Sequence, residues 1–166
     1  QARSEDVAAI ERLYRAAFPD ADLVPLVPAL LPAAPVLSLV AERDDALVGH
    51  IAFTRCGVGE GANDVALLGP LAVAPARQRQ GIGGALMRDG LARLGGAGVG
   101  HVVVLGDPAY YGRFGFARED RLMPPYPLPA EWSAAWQSLR LGGSAPTPAA
   151  TLWVPALWRQ PALWGV

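Results

Sequence analysis

A chain of 166 residues, 52% hydrophobic and 17% charged, has the size and apolar content of one globular domain and is far from a disordered composition. Its net charge of −1 supplies no basic field for a phosphate backbone, which argues against nucleic acid as a partner. All 14 cationic residues are Arg, which excludes a Schiff-base lysine and an ordinary P-loop. The single Cys56 and the two histidines, His50 and His101, exclude a disulfide, a C-x-x-C site and H-E-x-x-H, so no metal is expected.

In chain order, the first expected element is a helix. Ser4 is placed to N-cap it, Glu5 and Asp6 suit its first turn, and Val7, Ile10, Tyr14 and Phe18 recur at helical spacing. Pro19 stops it, and Pro25, Pro28, Pro32 and Pro35 keep any helix over 20–35 short or kinked. Apolar stretches such as Val24-Pro25-Leu26-Val27-Pro28 are broken well before the ~20 residues of a membrane span, and the first six residues carry no apolar signal region. The expectation is a soluble, cytoplasmic protein away from membranes.

Val36 to Glu42 and Ala46 to Cys56 read as two strands of a hairpin around Arg43-Asp44-Asp45. Gly57 to Asp64 reads as a connection and Val65 to Val73 as a third, central strand. Then comes Pro75-Ala76-Arg77-Gln78-Arg79-Gln80-Gly81-Ile82-Gly83-Gly84, opening a helix with Ile82, Leu86, Met87 and Leu94 on one face. Gly83 and Gly90 fall within that face and allow a close approach to a sheet, and Gly95-Gly96-Ala97-Gly98 ends the helix. His101 to Leu105 reads as a buried strand. Asp107-Pro108 reads as a cap with Pro at the first helical position, starting a short helix through Phe114, and Gly115-Phe116 leads into another strand. Beyond residue 120 the chain is rich in Pro and Trp, with Trp132, Trp136, Trp153, Trp158 and Trp164, and its pattern assigns no element. No composition shift marks a second domain, so residues 1–166 are read as one.

The spacing Gln78-x-x-Gly81-x-Gly83 follows a strand and opens a helix. Glycines there let loop amides turn inward, and the helix start adds unpaired N–H groups and a positive dipole end, so a pyrophosphate can bind without Lys. The dinucleotide fingerprint G-x-G-x-x-G fails, because its third position is Leu86. By itself such a segment is equally a packing solution.

Leu68-Gly69-Pro70-Leu71-Ala72-Val73-Ala74-Pro75 followed by Gln78-Arg79-Gln80-Gly81-Ile82-Gly83 resembles motif A of the GCN5-related N-acetyltransferases, the GNAT family. Gly49-His50-Ile51-Ala52-Phe53 and Leu105-Gly106-Asp107-Pro108-Ala109-Tyr110-Tyr111-Gly112-Arg113-Phe114-Gly115-Phe116 are similar to segments of its bacterial YhbS-like branch. The match runs over roughly 3–120, with 121–166 similar only loosely, around Trp153-Val154-Pro155. The resemblance implies one α/β N-acetyltransferase domain with a mixed, mostly antiparallel sheet flanked by helices. Its cosubstrate would be acetyl-CoA, and its acceptor a small-molecule or peptide amine. By the same resemblance, Leu71, Ala72 and Val73 would offer backbone groups to the pantetheine arm and acetyl carbonyl. The amides of Arg79, Gln80, Gly81, Ile82, Gly83 and Gly84 would hold the pyrophosphate. Tyr111 would be the general acid for the departing thiolate. The Asn that many members carry seven residues before this Tyr is here Val104.

Bland roles compete with these. Tyr111 could be a packing tyrosine, with Tyr110 the rival position on the same helix. His50 reads as a structural hydrogen-bonding residue, His101 as non-catalytic, Cys56 as a small buried hydrophobe, and the Trp set as core or lid packing. Arg77 and Arg79 are either solvated or near phosphates. Glu42, Glu60 and Asp64 are candidates for the amine's general base only by lying near strand ends. The competing functions are a non-catalytic acyl-CoA-binding or regulatory domain and an interaction module using the Trp-rich tail. A homodimer is left open.

Overall fold

Asp44 and Asp45 both adopt left-handed backbone conformations (φ 53° and 56°), the geometry of a two-residue hairpin turn. They join β1 (Val36–Arg43) to β2 (Ala46–Val58) in an antiparallel ladder from Val36↔Thr54 to Arg43↔Ala46. In this computed structural model the described residues are all except 21, 22, 24, 32, 34, 35, 59–61, 144–148 and 166. Pro32, Pro35 and Glu60 of the sequence reading therefore lie outside them.

The remaining strands are β3 (Ala62–Val73), β4 (His101–Leu105), β5 (Ala117–Arg118), β6 (Leu122–Met123), β7 (Trp136–Arg140) and β8 (Ala150–Trp153). The helices are α1 (Val7–Ala17), α2 (Leu26–Leu30), α3 (Ile82–Gly96) and α4 (Pro108–Tyr111). Strands hydrogen-bond in the order β5-β7-β4-β3-β2-β8-β6, with β1 also on β2. The β3–β4 and β6–β8 pairs are parallel, while β1–β2, β2–β8, β4–β7 and β5–β7 are antiparallel. The sheet is mixed and mostly antiparallel, as expected.

The chain divides into two compact units, through both of which β2 and β3 run. One comprises Gln1–Thr54 and Gly69–Arg93. In it Ile10, Leu13 and Tyr14 of α1 pack with Val27 of α2 and Ala72 of β3. Helix α3 lies close on β2: a Cβ on Gly90 would meet the buried Phe53 ring at 2.2 Å, and one on Gly49 would meet Ile82 at 2.9 Å. Gly90, one of the two glycines read as a packing face, therefore serves as one.

The other unit comprises Arg55–Leu68 and Leu94–Val166. Its ladders pair β4 with Val65–Leu68 on one side and with β7 on the other, and β8 with Gly57 and Val58. Trp136, Trp158 and Trp164 are buried, whereas Trp132 and Trp153 are 38% and 51% exposed.

Three local expectations change. Ser4 does not cap α1: Ser4–Asp6 is itself a 3-10 turn with Arg3 at its N-cap, so Ser4 lies inside the turn rather than before the helix, and the Asp6 carboxylate accepts the Arg3 amide at 2.7 Å. The expected connection at Gly57–Asp64 is largely strand, since β2 runs to Val58 and β3 starts at Ala62. The Trp-rich tail contributes β6, β7 and β8.

Candidate acetyl-CoA site

The first unit holds the loop. After β3, Pro75–Arg77 forms a 3-10 turn, Arg79 and Gly81 turn the backbone into left-handed conformations (φ 60° and 82°), and α3 starts at Ile82. The Ala85 amide donates to the Gly81 carbonyl at 2.9 Å as the helix begins. The amides of Ile82, Gly83 and Gly84 therefore precede the helical ladder and point beyond its end, where the dipole is positive. Arg79, Gln80 and Gly81 are exposed, and open space surrounds the position a Gly81 Cβ would take. Backbone donors, a positive helix end and free room suit a phosphate group.

Side chains shape this loop from behind. Gln78 Nε2 donates to the Val73 carbonyl at 3.3 Å, so the Gln of the sequence motif tethers the loop to the end of β3. Gln80 Nε2 donates to the Ala76 carbonyl at 3.3 Å, and Arg77 pairs with Asp44 at 2.9 Å. Leu71, Ala72 and Val73 belong to the same unit. The β3–β4 ladder covers only Val65–Leu68 with His101–Val104, and Pro70 just beyond has no N–H to offer one. The backbone of Leu71–Val73 continues outside that ladder.

Tyr111 lies in the second unit, at the end of α4. The Asp107 carboxylate accepts the Ala109 amide at 2.9 Å and Pro108 takes the first helical position, as their order in the sequence implies. The Tyr111 ring rests on Gly106, where a Cβ would come within 2.3 Å of Cε2, and it meets Tyr110 and Phe116 edge-on at 5.0 and 5.8 Å. Burial, and then the neighbouring Tyr110 and Asp107, push its phenol above the ordinary value of 10. The hydroxyl therefore keeps its proton through neutral pH. Tyr110 instead carries the Arg113 guanidinium over its ring at 4.5 Å. Val104, where many relatives of the motif have Asn, is buried in β4 and offers no side-chain donor.

The other candidates have structural surroundings. His50 is fully buried, with Nδ1 at 2.8 Å from the Tyr14 hydroxyl and Nε2 at 2.7 Å from Ser38 Oγ, and burial lowers its pKa to about 4. His101 faces Glu119 at 3.5 Å. Glu119 in turn accepts the amides of Arg121 and Leu122. Cys56 is buried, which pushes its thiol up to about 12. Glu42 and Asp64 are exposed, in the first and second unit respectively. Nothing in their surroundings singles either out as a base. Among the described residues no group of three His, Cys, Asp or Glu is placed to hold a metal ion, and no helix is long and apolar enough to cross a membrane.

The model of the Acetyltransferase (GNAT) family matches residues 7–116, from the start of α1 to Phe116. The chain belongs to the GNAT family. It is an acetyltransferase, and the matched stretch contains the loop, the end of β3 and Tyr111. The uncharacterized N-acetyltransferase YjhQ of Escherichia coli K12 is 39% identical over 139 residues, 80% of this chain and 76% of that protein. A GNAT family acetyltransferase from Brucella melitensis, solved in complex with acetyl-CoA, superposes with a TM-score of 0.76 at 39% identity, covering 95% of each chain. YhbS from Escherichia coli, solved with CoA, gives 0.83 at 28% identity, covering 96% of this chain and 89% of that one.

Proposed function

We propose that this GNAT protein transfers an acetyl or short acyl group from acetyl-CoA to a primary amine of a small molecule or peptide by direct attack, as one cytoplasmic domain spanning residues 1–166. The observation that carries the cosubstrate is the start of α3, where the amides of Ile82, Gly83 and Gly84 precede the first helical bond beside a left-handed Arg79 and Gly81. Together with the amides of Arg79, Gln80 and Gly81 they are donors for a pyrophosphate that need no lysine. Acetyl-CoA supplies an activated thioester whose thiolate departs. Backbone groups of Leu71, Ala72 and Val73 orient the acyl arm and polarise the acetyl carbonyl. As the C–N bond forms and the C–S bond breaks, Tyr111, protonated at neutral pH, gives its hydroxyl proton to the departing sulfur, and the proton lost by the amine nitrogen returns through solvent to the phenolate. The complete loop together with Tyr111 favours this reading over a non-catalytic acyl-CoA binder.

The test pairs two measurements. Acetyl-CoA should bind in calorimetry and raise thermal stability by mass action. Tyr111→Phe should then lower turnover by ~10²–10⁴ on any amine that a thiol-release screen selects, with acetyl-CoA affinity unchanged. Tyr110→Phe should behave as wild type. Absent acetyl-CoA binding at millimolar concentration refutes the function; equal behaviour of the two Phe variants refutes the assignment of Tyr111.

A further inference from the structure

The β1–β2 hairpin tip contacts the cosubstrate loop at two points. Arg77 Nη2 donates to Asp44 Oδ2 at 2.9 Å and Arg43 Nη1 donates to Gln80 Oε1 at 3.0 Å. The two contacts flank Arg79, held at φ 60°, a left-handed conformation uncommon for a residue with a side chain. A strained residue persists where its surroundings over-determine it. Here the surroundings are the hairpin contacts at 77 and 80 and the Gln78 tether to Val73. The tip itself is set by the paired left-handed turn residues Asp44 and Asp45, so its two side chains reach the loop from a defined base.

We propose that Asp44 and Arg43 are positioning residues for acetyl-CoA binding, bracing the loop from the hairpin so that its amides are arranged before the phosphates arrive; this rests on the pyrophosphate reading of the loop. The Asp44 side chain is 74% exposed and that of Arg77 37%, so the pair adds little to the stability of the whole chain. Its effect is local, on the order of the loop, and appears in binding. The competing account has Arg77 meeting a phosphate directly. The two accounts differ in sign: freeing Arg77 from Asp44 weakens binding if the pair is a brace and strengthens it if Arg77 is a ligand.

The experiment measures CoA affinity by calorimetry, together with hydrogen exchange of the bonded amides of Arg77, Gln78 and Ala85 in the free protein. Asp44→Gly removes the carboxylate and keeps the left-handed turn. It should weaken CoA binding about threefold, the scale of an exposed pair, raise KM for acetyl-CoA and leave kcat unchanged. The hydrogen-bonded amides that close the loop, those of Arg77, Gln78 and Ala85, should exchange faster while the rest of the chain does not. Asp44→Asn, which keeps an acceptor oxygen and tolerates the turn, should recover part of the loss. Asp45→Gly should match wild type, and Arg77→Gln added to Asp44→Gly should cost nothing further. Equal or tighter CoA binding by Asp44→Gly overturns the brace, and tighter binding marks Arg77 as a direct ligand. If wild-type protein fails to bind CoA, the acetyl-CoA reading falls by itself. The exchange rates then decide the brace: faster exchange in Asp44→Gly supports it and unchanged exchange overturns it.

Discussion

Gly106→Ala should impair catalysis by moving Tyr111 without altering it. The added Cβ would lie 2.3 Å from Cε2, 3.0 Å from Cδ2 and 3.3 Å from Cζ of the Tyr111 ring, against an ordinary contact of 3.4–4 Å. The backbone at 106 cannot yield easily. Its amide donates to the Ala135 carbonyl at 2.9 Å and its carbonyl accepts Gln137 Nε2 at 2.9 Å. The ring must therefore retreat, by about 1 Å, and a misplacement of that size costs a catalytic group about a hundredfold in rate. The crowding also costs about 1 kcal/mol of stability, at the low end for overpacking because Tyr111 is only partly buried. Turnover should be followed by CoA thiol release with an amine chosen by screening, and acetyl-CoA affinity by calorimetry. On the role proposed for Tyr111, which is confined to the transition state, affinity should not move. Gly112→Ala is the control, because a Cβ there meets nothing within 4 Å. Combining Gly106→Ala with Tyr111→Phe should cost no more than Tyr111→Phe alone, because a missing hydroxyl cannot be misplaced. Wild-type turnover in Gly106→Ala, or additive losses in the double variant, would refute the reasoning.

Three further variants concern stability. Gly90→Ala should destabilise by about 1–2 kcal/mol in denaturant titration, because overpacking against the fully buried Phe53 outweighs the gain in helix propensity. Gly95→Ala, with nothing within 4 Å of its Cβ, should stabilise by about 0.5–1 kcal/mol, and the same sign for both would contradict this packing account. His50 has its pKa lowered from 6.5 to about 4, so between those values the unfolded chain binds a proton that the folded chain refuses. This residue's contribution is complete above pH 6.5 and lost as pH falls toward 4, about 3 kcal/mol in all. His50→Gln should be less stable at pH 7 and lose less on acidification. An equally steep loss would show that the titration lies elsewhere.

What the sequence revealed followed the range of the forces involved. Helix α1, the hairpin and the start of α3 carry their signals within a few residues: apolar spacing, Asp-Asp at a tight turn, glycine before a helix. The tail carries none of this. Strand β7 is held by pairing with β4 from Leu105↔Trp136 to His101↔Arg140, and its neighbours Trp136 and Gln137 are both buried, which breaks the alternation that would have announced a strand. A buried Gln137 is tolerable because the Gly106 and Ala135 carbonyls meet its amide. No local window contains that fact. The loop behaves similarly: its glycines were legible, whereas the capture of Arg77 by Asp44 depends on a partner 33 residues away. Ser4 misled for the opposite reason: it is a good cap by type, but a 3-10 turn over Ser4–Asp6 moves the start of α1 to Val7.

The donors at the start of α3 are peptide N–H groups, which neither titrate nor react with amine-directed or guanidine-directed reagents. A phosphate grip of this kind keeps its strength across the pH range in which a lysine or histidine would change charge. On the function proposed above, the pH dependence of turnover is then left to the amine acceptor and to Tyr111, and a profile of kcat against pH reads proton transfer without a contribution from the loop. Substitution acts differently here as well. No side-chain truncation removes such a donor; only a change that bends the backbone, or a Pro that deletes the N–H, can do so. The donors themselves therefore survive exchange of side chains that neither brace the loop, as Arg77, Gln78 and Gln80 do, nor set its turn at Arg79 and Gly81.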